Sequence, residues 1–371
     1  MSTLICQNNI PLNSVAMISV QELIKEPLML IPQQYIRFGD QGPSKPILFD
    51  HSNLLPTLPI LDMKQLESGY EELQKLHSAC KDWGFFQVVN HGVSSSLMEK
   101  LRNEIEEFYK LPIEEKVKYK IRPGDVEGYG SIPRREGKLD WGDRLFMTTN
   151  PLTKRKPHLF PELPSSLRDT LEHYIAELQE VGKKLLMAMA RALNIEREEW
   201  VELFEDGLQS MRMTYYPQCP QPELVMGLTP HSDATGITIL NQLNGVDGLE
   251  IMKDGVWIPV NCQPDAFVVN VGDILEILSN GIYSSIEHRA MVNSTKERIS
   301  IAFFMYPKFE ADIGPVSSLI NLQNPPLFKK IGMEQYLEDF FSRKLDGKSH
   351  LEYMKIKTDQ ESHGTPVDAK N

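Results

Sequence analysis

The chain has 371 residues, 41% of them hydrophobic, enough for one large domain or two modest ones with a sizeable buried core. Its formal net charge is −12, with acids and bases interspersed, so it offers no basic face to phosphate backbones or anionic lipid: neither nucleic acid nor membrane is an expected partner. Cys6, Cys80, Cys219 and Cys262 lie far apart without a CxxC pair, the start has no basic-then-apolar leader, and no apolar run approaches bilayer length, so a reduced, cytosolic (cytoplasmic) protein is expected. A monomer is the default expectation.

Ser19-Val20-Gln21-Glu22 reads as a capping box opening a first helix. A proline-rich stretch from Pro32 to Pro59 lacks a clear period, and residues 1–56 are expected to form this helix and an extended arm wrapping the domain. Strand and helix signals then alternate through a region spanning 57–205: LPILD, an amphipathic run with Tyr70, Leu73, Leu76 and Cys80 on one face ended by Gly84, and the buried strand FFQVVN from Phe85 to Asn90. A further helix carries Leu97, Leu101, Ile105 and Phe108 until Pro112 interrupts it, and the segment from about Ile121 to Pro157 is read as loop-rich. The longest helix signal begins near Ser165 and aligns Leu171, Ile175, Leu178, Leu185, Met189 and Leu193.

From Gln209 the texture changes to short β-branched and aromatic runs separated by turn residues, the spacing of a sandwich or closed barrel, placed at 206–310. LEIMK and VWIPV flank Asp254-Gly255 as a hairpin, and Asn280-Gly281 marks another turn. Residues 311–357 return to helix around Met333 to Leu345, and 358–371 is expected to be a disordered tail.

Alternate residues on a strand share a face, so a histidine two positions before an acid can place both on one metal ion. Of nine histidines two qualify, in His231-Ser232-Asp233 and His350-Leu351-Glu352, and only the first is followed by a further histidine in strand texture, His288. Two imidazoles and one carboxylate on one face of an octahedron leave three positions open, which suits iron(II) that must bind a chelating cosubstrate and dioxygen together. Standing alone, HxD also fits an ordinary loop histidine, and His288 a core histidine. Ten positions beyond His288, Arg298-Ile299-Ser300 sets a guanidinium and a hydroxyl on one strand face, where they could grip a carboxylate. An arginine within RISIAFFM needs a buried anion, which could equally be an internal Asp or Glu. Met211 and Met213 read as core, His91 as structural, and Phe304 as either core or a pocket ring that stacks on a planar substrate.

DWGFFQVVNHGV (Asp82 to Val93), YYPQCPQPE (Tyr215 to Glu223), GLTPHSDATGITIL, VVNVGDILEILSNGIYSSIEHRA, ERISIAFF and LDGKSHLEYMKI together closely resemble the plant 2-oxoglutarate and iron(II)-dependent dioxygenases of soluble specialised metabolism, over nearly the whole chain. The resemblance implies a mainly β fold with surrounding helices: a distorted double-stranded β-helix, or jelly roll, with a helical N-terminal region. It implies that His231, Asp233 and His288 hold iron, and that Arg298 and Ser300 bind the distal carboxylate of 2-oxoglutarate with help from Tyr216. Dioxygen would be the second cosubstrate and ascorbate a stimulant. Thr214 stands where the family usually has Asn, which removes a polar contact often made near the cosubstrate; Arg144, within a loop-rich Gly128 to Met147, joins Thr214 and Phe304 as a candidate pocket residue.

The branch most similar contains alkaloid O-demethylases and norcoclaurine synthase-like proteins. Hydroxylation or oxidative O-demethylation of a small alkaloid or phenolic is therefore expected, with release of succinate and carbon dioxide. Flavonoid or coumarin hydroxylation, or desaturation, is the nearest alternative. An ethylene-forming relative that uses ascorbate in place of 2-oxoglutarate, and a non-catalytic metal-holding jelly roll, are further readings.

Overall fold

The computed structural model describes residues 19–26, 28, 30–37, 56–134, 137–343 and 347–356. Most of the expected proline-rich arm, the expected disordered tail, Cys6 and Leu345 lie outside the described residues. Two sheets carry the architecture, built from β1 (Ile60–Asp62), β2 (Phe85–Val89), β3 (Gly128–Tyr129), β4 (Asp143–Asn150), β5 (Gln209–Tyr216), β6 (Leu228–His231), β7 (Ile237–Gln242), β8 (Leu249–Lys253), β9 (Val256–Pro259), β10 (Phe267–Val271), β11 (His288–Ala290) and β12 (Arg298–Met305). The larger sheet runs β1-β2-β10-β7-β12-β5-β4-β3 and the smaller β6-β11-β8-β9.

Strand alternation divides the larger sheet into two faces. Leu145 and Met147 of β4, Met211 and Met213 of β5, and Ile299, Ile301 and Phe303 of β12 are buried in one core with Leu171, Ile175, Leu178, Leu185 and Met189 of the helix Ser165–Leu193. Gly182 permits that close approach, because a Cβ there would overlap Met305 Sδ. The opposite face meets the smaller sheet, where Leu240, Phe85 and Val268 pack with Leu249, Ile251 and Ile258. This is the two-sheeted jelly roll with helices outside that the sequence led us to expect.

Local chemistry accounts for most boundaries. Asp254 (φ 51°) and Gly255 (φ 79°) occupy the left-handed region and join β8 to β9 as a hairpin. The helix Ser95–Lys110 buries Leu101, Ile105 and Phe108 and stops before Pro112. Ser19 caps the short helix Val20–Leu23 by accepting from Glu22 N at 3.3 Å, but the Glu22 carboxylate turns to Lys25 instead of closing the box.

Two expectations change. Tyr70 is 74% exposed: it begins the helix Tyr70–Ser78 at the edge of the stripe whose buried members are Leu73 and Leu76. The segment read as loop-rich contains β4, an eight-residue strand of strictly alternating burial in the larger sheet. Its period was masked because Asp143 faces inward as a buried acid, accepting from Ser19 Oγ, Val20 N and Tyr129 Oη, while Arg144 breaks the apolar texture from the other face. Among the described residues no helix is long and apolar enough to cross a membrane.

Candidate active site

His231 ends β6 and His288 opens β11, and the two are register partners across the smaller sheet. Asp233 follows His231 by one strand repeat. These three residues form a buried cluster whose donor atoms lie within 4.8 Å of one another, the one such group of histidine, cysteine and acid side chains among the described residues. Asp233 Oδ1 lies 3.4 Å from His231 Nε2 and 3.7 Å from His288 Nε2.

Every ligand's second polar atom is already committed. His231 Nδ1 donates to Thr229 O (2.8 Å) and His288 Nδ1 to Ile286 O (3.1 Å), since a carbonyl can only accept; both Nε2 lone pairs therefore face the shared point. Asp233 Oδ2 accepts from Thr238 Oγ1 (2.7 Å) and Asn270 Nδ2 (2.9 Å), two residues of the larger sheet, which leaves Oδ1 for the cluster. Phe85, in the strand expected from FFQVVN, packs edge-on against the His288 ring at 5.2 Å. Burial, and then the neighbouring His231, lowers the His288 pKa to about 4, so its imidazole is neutral and ligand-ready at neutral pH. Burial pushes Asp233 upward, but His288, His231 and the Thr238 hydroxyl outweigh it and hold the carboxyl below the usual range. Three donors on one side with the rest open fit a divalent iron better than a closed structural zinc site.

On β12, Arg298 and Ser300 share the face turned toward the smaller sheet, both buried. Arg298 Nη1 donates to Ser300 Oγ (3.3 Å), its Nε and Nη2 reach Gln242 Oε1 (3.3 and 3.2 Å), and its guanidinium lies 5.1 Å from the Tyr216 ring centroid. Among the described residues no carboxylate pairs with it; of the two partners considered from sequence, an internal acid is not the one found. Gly248 makes room for the arginine stem, since a Cβ there would sit 3.0 Å from Arg298 Cδ.

Thr214 is buried opposite Ser300 on one side and Arg144 on the other, and its hydroxyl accepts from Arg212 Nε at 3.2 Å. Phe304 meets Phe146 edge-on at 6.2 Å on this face. Met211 and Met213 point the other way, into the helical core. His91 stacks on Phe267 and donates to Asp265 O, a turn-holding role. His350 sits in a box of Tyr336, Phe340 and Tyr353. Arg212, Gln242, Thr238 and Asn270 escaped the sequence reading; of these only Arg212 carried a usable signal, lying two positions before Thr214 and four before Tyr216 on the same strand face.

A jelly roll that gathers two imidazoles and a carboxylate on one face, with a buried arginine lacking an acid partner, defines a non-haem iron oxygenase scaffold. Comparison with known proteins agrees. Residues 207–307 match the 2OG-Fe(II) oxygenase superfamily, and residues 58–163 match the family described as non-haem dioxygenase in morphine synthesis N-terminal. Codeine O-demethylase of Papaver somniferum is 49% identical over 354 residues, covering 93% of this chain and 97% of that one. Oxoglutarate-dependent flavonoid 7-O-demethylase 1 of Ocimum basilicum is 48% identical, with 91% of both chains covered. The crystal structure of JOX2 in complex with 2OG, Fe and JA superposes with a TM-score of 0.82 at 37% identity, covering 92% of this chain and 98% of that chain. The chain belongs to the 2OG-Fe(II) oxygenase superfamily: it is a 2-oxoglutarate-dependent dioxygenase that uses iron(II).

Proposed function

We propose that this oxygenase hydroxylates or oxidatively O-demethylates a small specialised metabolite, an alkaloid or a phenolic, with His231, Asp233 and His288 holding the iron. Support comes from the three convergent donors whose other atoms are already fixed, and from the O-demethylases among its relatives. When bound, iron supplies oxidation of a substrate C–H bond by dioxygen, coupled to decarboxylation of 2-oxoglutarate to succinate; an O-methyl group hydroxylated in this way leaves as formaldehyde.

The chain's own residues bind and orient. Arg298, steadied by Gln242 and set beside Ser300 and Tyr216, offers a charged fork to the distal carboxylate of 2-oxoglutarate. Thr238 and Asn270 keep Asp233 Oδ1 aimed at the metal point, and the backbone carbonyls of Thr229 and Ile286 fix both imidazoles. Thr214, Arg144 and Phe304 border the space left for substrate, where packing against the rings excludes water and orients the target carbon. The Thr214 hydroxyl oxygen accepts from Arg212 Nε, so its contribution is to hold that guanidinium.

The test is a screen of methylated alkaloids and phenolics with iron(II), ascorbate and 2-oxoglutarate, following succinate and product mass. Substrate-dependent succinate with loss of a methyl group or gain of one oxygen is the expected result; turnover that ignores 2-oxoglutarate would sink the proposal. The free thiols of Cys80, Cys219 and Cys262 support a reducing, cytosolic setting, which a fluorescent fusion would check; a monomer is the state proposed, which size-exclusion chromatography would check.

A further inference from the structure

The face of the larger sheet that carries Arg298 holds two more arginines. Arg144 on β4 is opposite Thr214 on β5, and Arg212 on β5 is opposite Phe146 on β4, so the two arginines are diagonal neighbours on the pocket side. Arg144 spends Nε on Gly130 O and Nη2 on Val126 O, both at 3.2 Å. Among the described residues Arg212 spends only Nε, on Thr214 Oγ1. Neither forms an ion pair with any acid among the described residues.

The nearby acids are taken. Asp140 accepts from Arg37, Arg134 and Thr229, and Asp233 is committed to the two histidines, Thr238 and Asn270. Burial, then Arg212 and Arg134, hold the Arg144 pKa well below its ordinary value, and burial likewise lowers Arg212. Both side chains are half-buried, and their unspent donors are not among the buried atoms without a partner, so two guanidinium groups present accessible donors side by side and an anion can bridge them. Arg212 is within electrostatic range of the metal cluster: its charge lowers the His288 pKa, and Asp233 in turn raises that of Arg212. Beside the pair lie Phe146, 5.8 Å from the Arg144 guanidinium, and Phe304, edge-on to Phe146.

We infer that Arg144 and Arg212 form an anion subsite for the substrate, which is therefore an aromatic molecule bearing a carboxylate or ionised phenol, its ring against Phe146 and Phe304. This rests on the oxygenase reading and narrows it: a protonated amine is repelled at this position, so the phenolic branch of the proposed substrates is favoured over the alkaloid branch.

The test measures equilibrium binding to the full chain by calorimetry, without dioxygen, with iron(II) and with or without 2-oxoglutarate. The probes are p-anisate, ferulate and naphthoate, each beside its methyl ester, plus p-methoxyphenethylamine. At least one acid is expected to bind about ten-fold or more tightly than its ester, with the amine weakest, from loss of a charge-assisted contact. Arg144→Met should bring acid and ester to parity while the 2-oxoglutarate dissociation constant stays within about two-fold, and Arg144→Lys should restore part of the preference. The inference is overturned if ester and acid bind alike in the wild type, if no acid binds, or if Arg144→Met weakens 2-oxoglutarate as much as it weakens the acid. The acid-to-ester ratio needs no variant, so a misfolded mutant does not shield the idea. Failure of 2-oxoglutarate itself to bind would instead strike the oxygenase proposal, whatever the acids do.

Discussion

His231-Ser232-Asp233 and His350-Leu351-Glu352 have the same spacing but opposite fates. The first lies at the end of β6 and its loop, where a two-residue step returns a side chain to the same side, and both members join His288 in one cluster of donor atoms. The second lies in the helix Ser349–Met354, where residues two apart diverge around the axis; Glu352 points to solvent while His350 is buried among three aromatic rings with neither nitrogen hydrogen-bonded to any described residue. Spacing becomes a ligand pair only on the backbone whose period matches it.

The sharpest way to break this contrast is to delete each acid. Asp233→Ala should reduce iron content and succinate production to background, whereas Glu352→Ala should leave bound iron, measured by inductively coupled plasma mass spectrometry, unchanged. Iron retained by the Asp233 variant would refute the site. Next in size, Arg298→Ala should raise the 2-oxoglutarate concentration at half-saturation by about 10- to 100-fold with a smaller change in kcat, from loss of a charge-assisted contact of about 1.5–3 kcal/mol. An unaltered 2-oxoglutarate titration would remove Arg298 from the cosubstrate site.

A subtler break tests the residues that aim the carboxylate. Asn270→Ala should weaken iron binding by about 10-fold or somewhat more, because Asp233 Oδ2 then keeps only Thr238 and Oδ1 loses its fixed direction. Equal iron affinity in the variant would show that Thr238 suffices.

A last break, read in stability and not in iron or cosubstrate binding, concerns the motif that failed. Burial, then Arg343, lowers the His350 pKa from 6.5 to about 4. A histidine with a depressed folded-state value contributes stability that is present above the unfolded value and lost as pH falls through the folded one, here between about pH 6.5 and 4. His350→Phe keeps an aromatic ring in the box without the titration, so its melting temperature should fall less than wild type across that window, by a difference worth at most about 3 kcal/mol. Parallel melting curves would show that His350 stays accessible to protons when folded.

The sequence read well where one residue type serves one local geometry. Asp254-Gly255 needed only left-handed backbone, and Arg298 and Ser300 needed only strand alternation to share a face. It read poorly where partners come from distant strands. Thr238 and Asn270 are ordinary polar residues in apolar runs until β7 and β10 bring both to Asp233, and Arg212 looks like a strand charge until β4 places Arg144 beside it.

By itself, then, the sequence determined the donor chemistry: which side chains offer nitrogen or carboxylate oxygen, and, through the two-residue strand period, which of them share a face. Only the tertiary structure decided which donors meet. His288 joins His231 because antiparallel pairing sets β11 beside β6, and the orienting hydrogen bonds on Asp233 cross from one sheet to the other. Such convergence depends on register and sheet packing between segments far apart in the chain, which no local period encodes.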